Sequence, residues 1–484
     1  MSRITKSAPL WTLAFALGAL SISAWVFAQS ENETQSIGRV AKIRPDYCDA
    51  VIPPNIAPLN FFIEESGVRY DVKIASTSGD PIEINSRKPS IEIPLRRWKK
   101  LLAANRGEKL NIDIRVKDEK GNWTRFKTIE NTIANEAIDP YLVYRKIALC
   151  LHWRFMGIYQ RNVEDYDESV VLHNESFNHG CMNCHTFFNN DPEHMVMQVR
   201  SPRYGTPMLL VDGDSVEPRR TKSENSSGKA NFTAWHPNGK ILAVSDNKFK
   251  MLIHSAALEV RDVFDGASDI DLYFVETGAV ISDARISDPE RMETYPAWSR
   301  DGGGLYFCSA PQLPEERCGE VLCDLMRIGY DAASGAFGAL ETVIPAQEAG
   351  GSIIQPRVSP DGRWLLFNVT SHSDFPVDKA RCDLHLLDLE SGAHRRLAIS
   401  SEQNDSWHSW SSDGRWIAFS SRRMDSRFSR THLSYFDADG EAHKPFVLPQ
   451  RDPCYYDVRP HVFQVPELIT GPIRVKGKQF SAAI

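Results

Sequence analysis

Two cysteines and a histidine stand together near the middle of this 484-residue chain, in the run Cys181-Met182-Asn183-Cys184-His185. In a helical turn, two thiols three residues apart lie on one face and can add to the two vinyl groups of one porphyrin. The histidine directly after the second thiol then reaches the iron as an axial ligand. The spacing therefore predicts a single covalent haem c, held by thioether bonds to Cys181 and Cys184, with His185 on the iron.

The same pair of thiols has two other interpretations. C-x-x-C also forms structural disulfides, and it supplies half of many zinc sites. A zinc site needs two further ligands nearby. His179 and His194 flank the motif and keep that interpretation open.

The first 28 residues are typical of an export signal. Arg3 and Lys6 precede a mostly apolar run over residues 8–28, and the run ends in Val26-Phe27-Ala28, which offers small residues to a signal peptidase. Covalent haem attachment takes place outside the cytoplasm, so the two observations agree. We expect a periplasmic or otherwise exported protein, cleaved after Ala28. An uncleaved anchor is the alternative and would be the chain's only membrane contact.

Composition indicates a multi-domain globular protein. The chain has 42% hydrophobic and 25% charged residues, and its length predicts two or three cores. The net charge is only -7 and no Lys/Arg-rich run is present, which argues against a nucleic-acid partner. An acidic patch shortly before the motif could steer a basic redox partner, although a solvated loop is the simpler interpretation. The patch consists of Glu164, Asp165, Asp167 and Glu168.

The second half of the chain repeats a short pattern. Four segments join an aromatic or apolar residue to a turn that contains Asn-Gly or Asp-Gly, and a β-rich run follows each turn. These dipeptides tolerate the positive φ of a tight hairpin. A second hairpin follows in at least three units, so each unit supplies four strands, which is one propeller blade. The segments begin at Ala234, Ala297, Val358 and Ser409.

These repeats resemble those of TolB-like β-propellers, whose pattern is roughly P-x-W-S-P-D-G-x-x-[IL]-x-F-x-S. The resemblance covers about residues 205–465, and Asn238 and Arg300 depart from the pattern. It implies a fold more firmly than a function. We expect a propeller over 205–466 with about five blades, six being the alternative. In the five-bladed arrangement, the C-terminal strand 458–465 completes a hairpin at 208–219.

The remaining segments predict three further parts of a mainly β fold. Residues 45–132 alternate apolar and polar side chains between turn signals, which is typical of a β-sandwich-like domain, although a helical run at 95–104 interrupts them. Residues 135–204 are predicted to be a helical haem-binding segment. Residues 467–484 form a C-terminal tail.

The N-terminal half also resembles a known family. Residues 52–61, 139–145 and 156–161, together with the haem motif, are similar to exported haem-motif propeller proteins of Bacteroidetes-type bacteria. This resemblance implies an architecture and says little about mechanism.

The second iron ligand decides what a haem can do. A Met thioether suits electron transfer, whereas an open position permits catalysis. Met195 and Met197 follow His185 closely enough to fold back over the ring, and the family has a methionine at the position of Met195. Met195 is therefore the first candidate, with an ordinary core position as its other interpretation. The alternatives are Met156, His173, His179 and His194, and His152 is the weakest candidate.

Three functions are compatible with these features. The first is electron transfer or redox sensing with a partner protein or membrane complex, the second a haem enzyme with its substrate between the haem and the propeller. The third is a binding scaffold for envelope proteins or glycans, with a structural haem. Histidines of the propeller could line a central channel and hold a second cofactor, but single histidines in blade strands are more often structural. They are His236, His372, His408, His432 and His461.

Overall fold

The computed structural model describes residues 34–148, 154–201, 203, 205–222, 227–253, 261–372, 375–376 and 379–484. The side chains of residues 183, 184, 251–253, 261 and 262 are outside this description. The proposed export signal at 1–28 also lies outside the described residues. None of the described helices has the length and apolar character needed to cross a bilayer.

The N-terminal domain consists of two sheets and one helix. Its longest strand places Leu110, Ile112, Ile114 and Val116 on the buried face, because successive side chains of a strand point to opposite sides. The seven-stranded sheet has the order β1-β9-β8-β10-β3, with β5 paired to β8 and β6 to β5, and the second sheet is β2-β4-β7. The elements are β1 Thr34–Val40, β2 Ile43–Arg44, β3 Val51–Ile52, β4 Phe61–Ile63, β5 Arg69–Ala75, β6 Ile82–Ser86, β7 Ser90–Ile91, α1 Leu95–Ala103, β8 Lys109–Lys117, β9 Trp123–Lys127 and β10 Ile129–Ile133.

Helix α1 packs its apolar side against this domain. Trp98, Leu101 and Leu102 are buried at spacings of three and four residues, which is the periodicity of one helix face. The indole of Trp98 donates a hydrogen bond to the carbonyl of Ile56 at 2.9 Å. The predicted helical run at 95–104 is therefore confirmed.

The rest of the described chain forms six four-stranded antiparallel sheets, which are the blades of a propeller. Five of these blades are each built from four strands that are consecutive in the chain. The first blade has three consecutive strands, and its fourth strand comes from the C-terminal part of the chain. The first blade contains β11 Tyr141–Ala148, β12 Met156–Asn162 and β13 Glu168–His173; the second β14 Cys181–Phe187, β15 His194–Arg200, β16 Met208–Asp212 and β17 Ser215–Arg219; the third β18 Phe232–Trp235, β19 Ile241–Ile253, β20 Arg261–Phe274 and β21 Val280–Ser282; the fourth β22 Arg291–Trp298, β23 Gly304–Pro311, β24 Asp324–Asp331 and β25 Ala336–Ile344; the fifth β26 Ser352–Val358, β27 Trp364–Thr370, β28 Cys382–Asp388 and β29 His394–Arg396; and the sixth β30 Asp405–Trp410, β31 Trp416–Ser421, β32 Arg430–Tyr435 and β33 Phe446–Val447.

The C-terminal strand closes the ring. Strand β34 (His461–Ile469) pairs antiparallel with β11, so that Leu468 lies opposite Leu142. One blade therefore contains strands from both ends of the propeller sequence. After it, helix α4 (Gly477–Ala483) buries Phe480 against the first two blades, so the predicted tail is packed rather than free. Two further short helices are α2 (Ala346–Ala349) and α3 (Tyr455–Val458).

The repeated pattern forms the turn between the first two strands of a blade. In the sixth blade, the Ser411 hydroxyl donates to the Asp413 carboxylate at 2.6 Å and accepts from the backbone N–H of Trp416 at 2.9 Å. Gly414 closes the turn with a φ of 70°, a conformation that favours glycine. The same hydroxyl bonds recur at Ser299 and at Ser359. The pattern is therefore a local turn held by hydrogen bonds among its own residues. This is why it can be recognised from the sequence alone.

Three expectations require correction. The described residues of 135–204 form β11 to β15 with two short 3-10 turns rather than a helical segment, and β11 and β15 are buried on both faces, so they lack the alternation that identifies a strand. The described residues contain six blades, which is the alternative count and not the five that we expected first, and the propeller begins at Tyr141 rather than at residue 205. The hairpin at 208–219 is completed by β14 and β15, whereas the C-terminal strand joins β11.

Closure by β34 predicts a large loss of stability when its packing is removed. Leu468 has no exposed surface, so Leu468→Ala should lower the free energy of unfolding by about 2–5 kcal/mol through the cavity it creates. Val458, just before the strand, is 69% exposed, and Val458→Ala should change the same quantity by less than about 0.5 kcal/mol. Urea unfolding of both variants measures the difference. Equal effects would contradict a closing role for β34.

Candidate functional site

The cysteine–histidine motif lies on the first strand of the second blade. Strand β14 begins at Cys181 and pairs only with β15 within its sheet. The pairing register shifts between Met182, opposite Val199, and His185, opposite Met197. One extra residue is thus accommodated as a β-bulge. The predicted helical turn at the motif is therefore wrong, and the thiols lie on a bulged strand.

The same irregularity recurs in the first strands of other blades. The register shifts between Thr294 and Ala297 in β22, between Ile354 and Arg357 in β26, and between Ser406 and Ser409 in β30. In each of these three strands one residue of the bulge has a positive φ. These residues are Tyr295, Gln355 and Trp407. By this register His185 occupies the position held by Ala297, Arg357 and Ser409 in their blades. The motif thus stands where the architecture already demands a bulge.

His185 is a buried imidazole without a well-formed hydrogen bond among the described residues. Its ring has no exposed surface, and the backbone at Val143 and Val465 approaches the ring without reaching good hydrogen-bond geometry. The pKa of His185 is lowered to about 3, mainly by burial and in addition by the nearby positive charge of Arg145. The backbone carbonyls of Val143 and Val465 act in the opposite direction but more weakly. The ring is therefore neutral at physiological pH, which is the protonation state that ligates metals.

Methionines are concentrated near the motif. Four of the ten methionines of the chain belong to one buried cluster between the first and second blades. They are Met156, Met182, Met195 and Met197. Their sulfur atoms are soft donors that suit iron in haem or other soft metal ions. Imidazole and thioether are both donor types that ligate haem iron, and Met197 is the cross-strand neighbour of His185.

Register distinguishes the two methionines of β15. Met197 is the cross-strand partner of His185, and Met195 is the next residue along the same face, opposite Phe187. Directly opposed Cα atoms are about 4.5–5.5 Å apart, whereas diagonal neighbours are separated by about 7–8 Å. Both methionines lie on the same face of the sheet as His185, and Met195 as the second iron ligand stays a prediction.

The other predicted ligands are held elsewhere. Met156 lies in the cluster, and its sulfur accepts the backbone N–H of Met182 at 3.1 Å. His194 is flanked by Asp191 at 2.9 Å and Asp212 at 3.2 Å. His173 accepts the N–H of Glu175 as a helix cap. His179 is an exposed residue with a φ of 55° in the turn before β14. His152 lies outside the described residues.

The two cysteines are less simply arranged. Cys181 is opposite Arg200, whose guanidinium lies 3.9 Å from its sulfur, so Cys181 and His185 face opposite sides of β14. The side chain of Cys184 is outside the described part of the structure. A porphyrin bonded to both thiols and to His185 therefore requires a different backbone path through residues 181–184. The sulfur of Cys181 lies on the opposite face of the strand from the His185 ring.

The propeller histidines have structural partners. The His408 ring contacts the Leu366 carbonyl at 3.1 Å and the Asn368 amide oxygen at 3.0 Å. His432 bonds to the Arg430 carbonyl, and His236 to that of Gly302. Within the described residues, no group of three or more His, Cys, Asp or Glu side chains could hold a metal ion. These histidines fit the structural interpretation better than a second cofactor site.

Sequence reasoning missed one charged residue of this region. Arg145 is buried, and it donates to the Met182 carbonyl at 2.9 Å and to the Gln464 side chain at 2.7 Å. It thereby joins the motif strand to β11 and β34. The only available signal was a lone arginine inside an apolar run, which does not reveal its partners.

No protein-family profile matches the chain, and no curated protein sequence matches it. Solved structures with related architecture include the nidogen/laminin complex, at 9% identity and a TM-score of 0.39 over 69% of this chain and 99% of that chain. The propeller domain of the trilobed protease from Pyrococcus furiosus is 13% identical, with a TM-score of 0.33 over 77% and 97%. The Dos1 propeller is 13% identical, with a TM-score of 0.35 over 56% and 63%. Similarity this low supports no functional argument, and the propeller assignment depends on the sheet order.

Replacing Met195 separates a ligand from an ordinary core residue. Leucine has nearly the same volume, so Met195→Leu should cost less than about 1.5 kcal/mol of unfolding free energy. In haem-loaded protein, Met195→Leu should nevertheless abolish the low-spin spectrum of a Met-ligated iron. Met197→Leu is the matched control, since it should keep both stability and spectrum. An unchanged spectrum in Met195→Leu would exclude Met195 as the ligand.

Proposed function

We propose that this chain is an exported propeller protein that carries one haem c and exchanges electrons with a protein partner or membrane complex. Cys181 and Cys184 would hold the haem through thioether bonds, and His185 would ligate its iron. The observation that supports this most is the neutral, buried and unpartnered imidazole of His185, which directly follows the two spaced thiols. Such an imidazole is costly unless it gains a partner.

The bound group would supply one-electron chemistry, and the protein would tune it. His185 has no exposed surface, and Met197 opposite it belongs to a buried apolar cluster, so water is excluded from the ring. Arg145 places a positive charge beside the ring, held by the Gln464 amide and the Met182 carbonyl. A buried positive charge disfavours the oxidised state of a redox centre, so Arg145 should raise its reduction potential.

The acidic patch before the motif contributes less to partner attraction than its sequence implies. Glu164 lies 3.3 Å from Lys99, and Glu168 forms an ion pair with Lys146 and a hydrogen bond with Tyr144. These pairs leave Asp165 and Asp167 as the charges available to a basic partner. We therefore expect a weak, salt-sensitive contribution of this patch to association.

The covalent haem can be tested by mass. Protein exported by a host that matures c-type cytochromes should be heavier than its mature polypeptide by one haem and should retain haem stain on a denaturing gel. The Cys181→Ser, Cys184→Ser double variant should have the mass of its polypeptide alone, while its far-ultraviolet circular dichroism stays that of a β protein. A colourless wild-type protein with an unmodified mass would contradict the proposal.

A second measurement distinguishes electron transfer from catalysis. With Met195 on the iron, the spectrum should be low-spin and should not change when cyanide or nitrite is added. An open iron position would instead give a high-spin spectrum that shifts with either anion, and that result would favour the haem enzyme.

A further inference from the structure

The N-terminal domain differs in charge from the rest of the chain. Residues 34–133 contain 18 Lys and Arg against 13 Asp and Glu, whereas the whole chain has a net charge of -7. The residues that follow this domain are therefore strongly acidic, and the domain itself is basic. Such an asymmetry between two parts of a chain is typical of a protein that meets an anionic surface with one of them.

The outward face of the seven-stranded sheet places cations side by side. Arg69 on β5 lies directly opposite Lys117 on β8, and these two strands alternate outward residues with buried ones. Arg115 on β8 lies directly opposite Arg125 on β9. Like charges directly opposite each other destabilise a sheet. The stability of the domain therefore does not account for these two pairs.

Acidic neighbours balance only one of the two pairs. Arg115 lies 3.3 Å from Asp71. Arg125 lies 3.8 Å from Asp113. The first pair forms no ion pair with any residue that the structure describes, so its two charges are left for solvent or for a partner.

A third cation and an indole extend this pair at the same end of the sheet. Arg87 directly follows β6, which pairs with β5 as far as the residue next to Arg69. On the other side, Trp123 of β9 lies opposite Lys117, whose ammonium is 5.6 Å from the centre of a ring of the indole. Arg69 and Arg87 are exposed, and the other two side chains are half-buried. We call these four residues the basic row.

Acidic side chains near the basic row lie in the turn between β8 and β9. The Asp118 carboxylate accepts two hydrogen bonds from Asn122 within this turn, at 2.8 and 3.1 Å. Glu119 is exposed, and the exposed Lys120 beside it carries the opposite charge. The turn therefore reduces the positive charge of the row without cancelling it.

The chain enters the domain at the basic row. Strand β1 begins at Thr34, which pairs with Trp123. The apolar run of the export signal ends six residues earlier, at Ala28. Because an extended chain covers at most about 3.5 Å per residue, the row stays within about 20 Å of a bilayer that holds this run.

We propose that the basic row docks the N-terminal domain on the surface of a bilayer that contains anionic phospholipids. The guanidinium groups of Arg69 and Arg87 and the ammonium of Lys117 pair with phosphate groups of the lipid heads. The indole of Trp123 enters the headgroup layer, where tryptophan concentrates in membrane proteins. The occupant is a membrane because the row lies where the exported chain leaves one. The haem plays no part in this docking, since none of these residues belongs to the cysteine–histidine motif.

Co-sedimentation of the mature polypeptide, residues 29–484, with lipid vesicles tests the docking. The protein should bind vesicles of phosphatidylcholine mixed with phosphatidylglycerol but not vesicles of phosphatidylcholine alone, and added salt should release it. Arg69→Gln combined with Lys117→Gln should weaken binding by about tenfold or more, because each basic side chain near an anionic surface contributes about fivefold. Arg427→Gln combined with Lys478→Gln is the matched control. It removes the same charge from exposed positions outside the N-terminal domain and should change binding by less than about twofold.

Several results would overturn the docking. They are the absence of vesicle binding, equal binding to both kinds of vesicle, and wild-type binding by the Arg69, Lys117 variant when its circular dichroism is native. An equal loss in the control variant would also overturn it, because net charge and not the basic row would then attract the lipid. The Cys181→Ser, Cys184→Ser variant should bind like the wild-type protein. A failure of the haem proposal and a failure of this one are therefore seen in separate measurements.

Discussion

The pairing of the last long strand with the first strand of the propeller holds this structure together. The chain must bring β34 beside β11, more than 300 residues earlier in the sequence, before the first blade has four strands. Leu142 and Leu468 face each other across this pair and have no exposed surface. Closure supplies the fourth strand of the first blade, and Val462 and Ile469 of β34 belong to the buried cluster that contains Met195 and Met197. The environment of the histidine is thus a product of closure rather than of its neighbours in sequence.

A second constraint is the bulge in the first strand of the blades. Tyr295, Gln355 and Trp407 adopt a positive φ that is uncommon for such residues, and the surrounding blades hold them there. The residue two positions after each of them lines a cavity of about 290 Å³. These residues are Ala297, Arg357 and Ser409. The same kind of β-bulge therefore positions the motif histidine in one blade and residues that line this cavity in three others.

The sequence was informative where the structure is local. The turn pattern with Ser411, Asp413 and Gly414 makes its own hydrogen bonds, so the four repeats that contain it could be predicted. The second blade uses Asn189 and Asn190 with positive φ in the corresponding turn and has no glycine there, and the first blade takes one strand from the C-terminus. Neither blade carries the pattern, so the sequence yielded too few blades.

The motif itself shows the same limit more sharply. Its spacing predicts the chemistry of its side chains, but their backbone conformation depends on β15 and on the neighbouring blade, which no local pattern encodes. Met195 and Met197 alternate along one strand and could be expected to share a face, whereas Arg145 reaches Met182 only through the closed ring. The residues discussed here around His185 therefore come from the four strands β11, β14, β15 and β34. The sequence indicates only two of these strands, β14 through the motif and β15 through its methionines.

The motif and two residues that line the cavity of about 290 Å³ belong to one strand. Strand β14 begins with Cys181 and ends with Thr186 and Phe187, which line this cavity. The Thr186 carbonyl accepts the indole N–H of Trp235, a bond that joins the second blade to the third. Any change in the backbone path through residues 181–184 moves a strand whose far end is fixed by this bond. The bond to Trp235 therefore keeps Thr186 in place at the far end of the strand that begins with the motif.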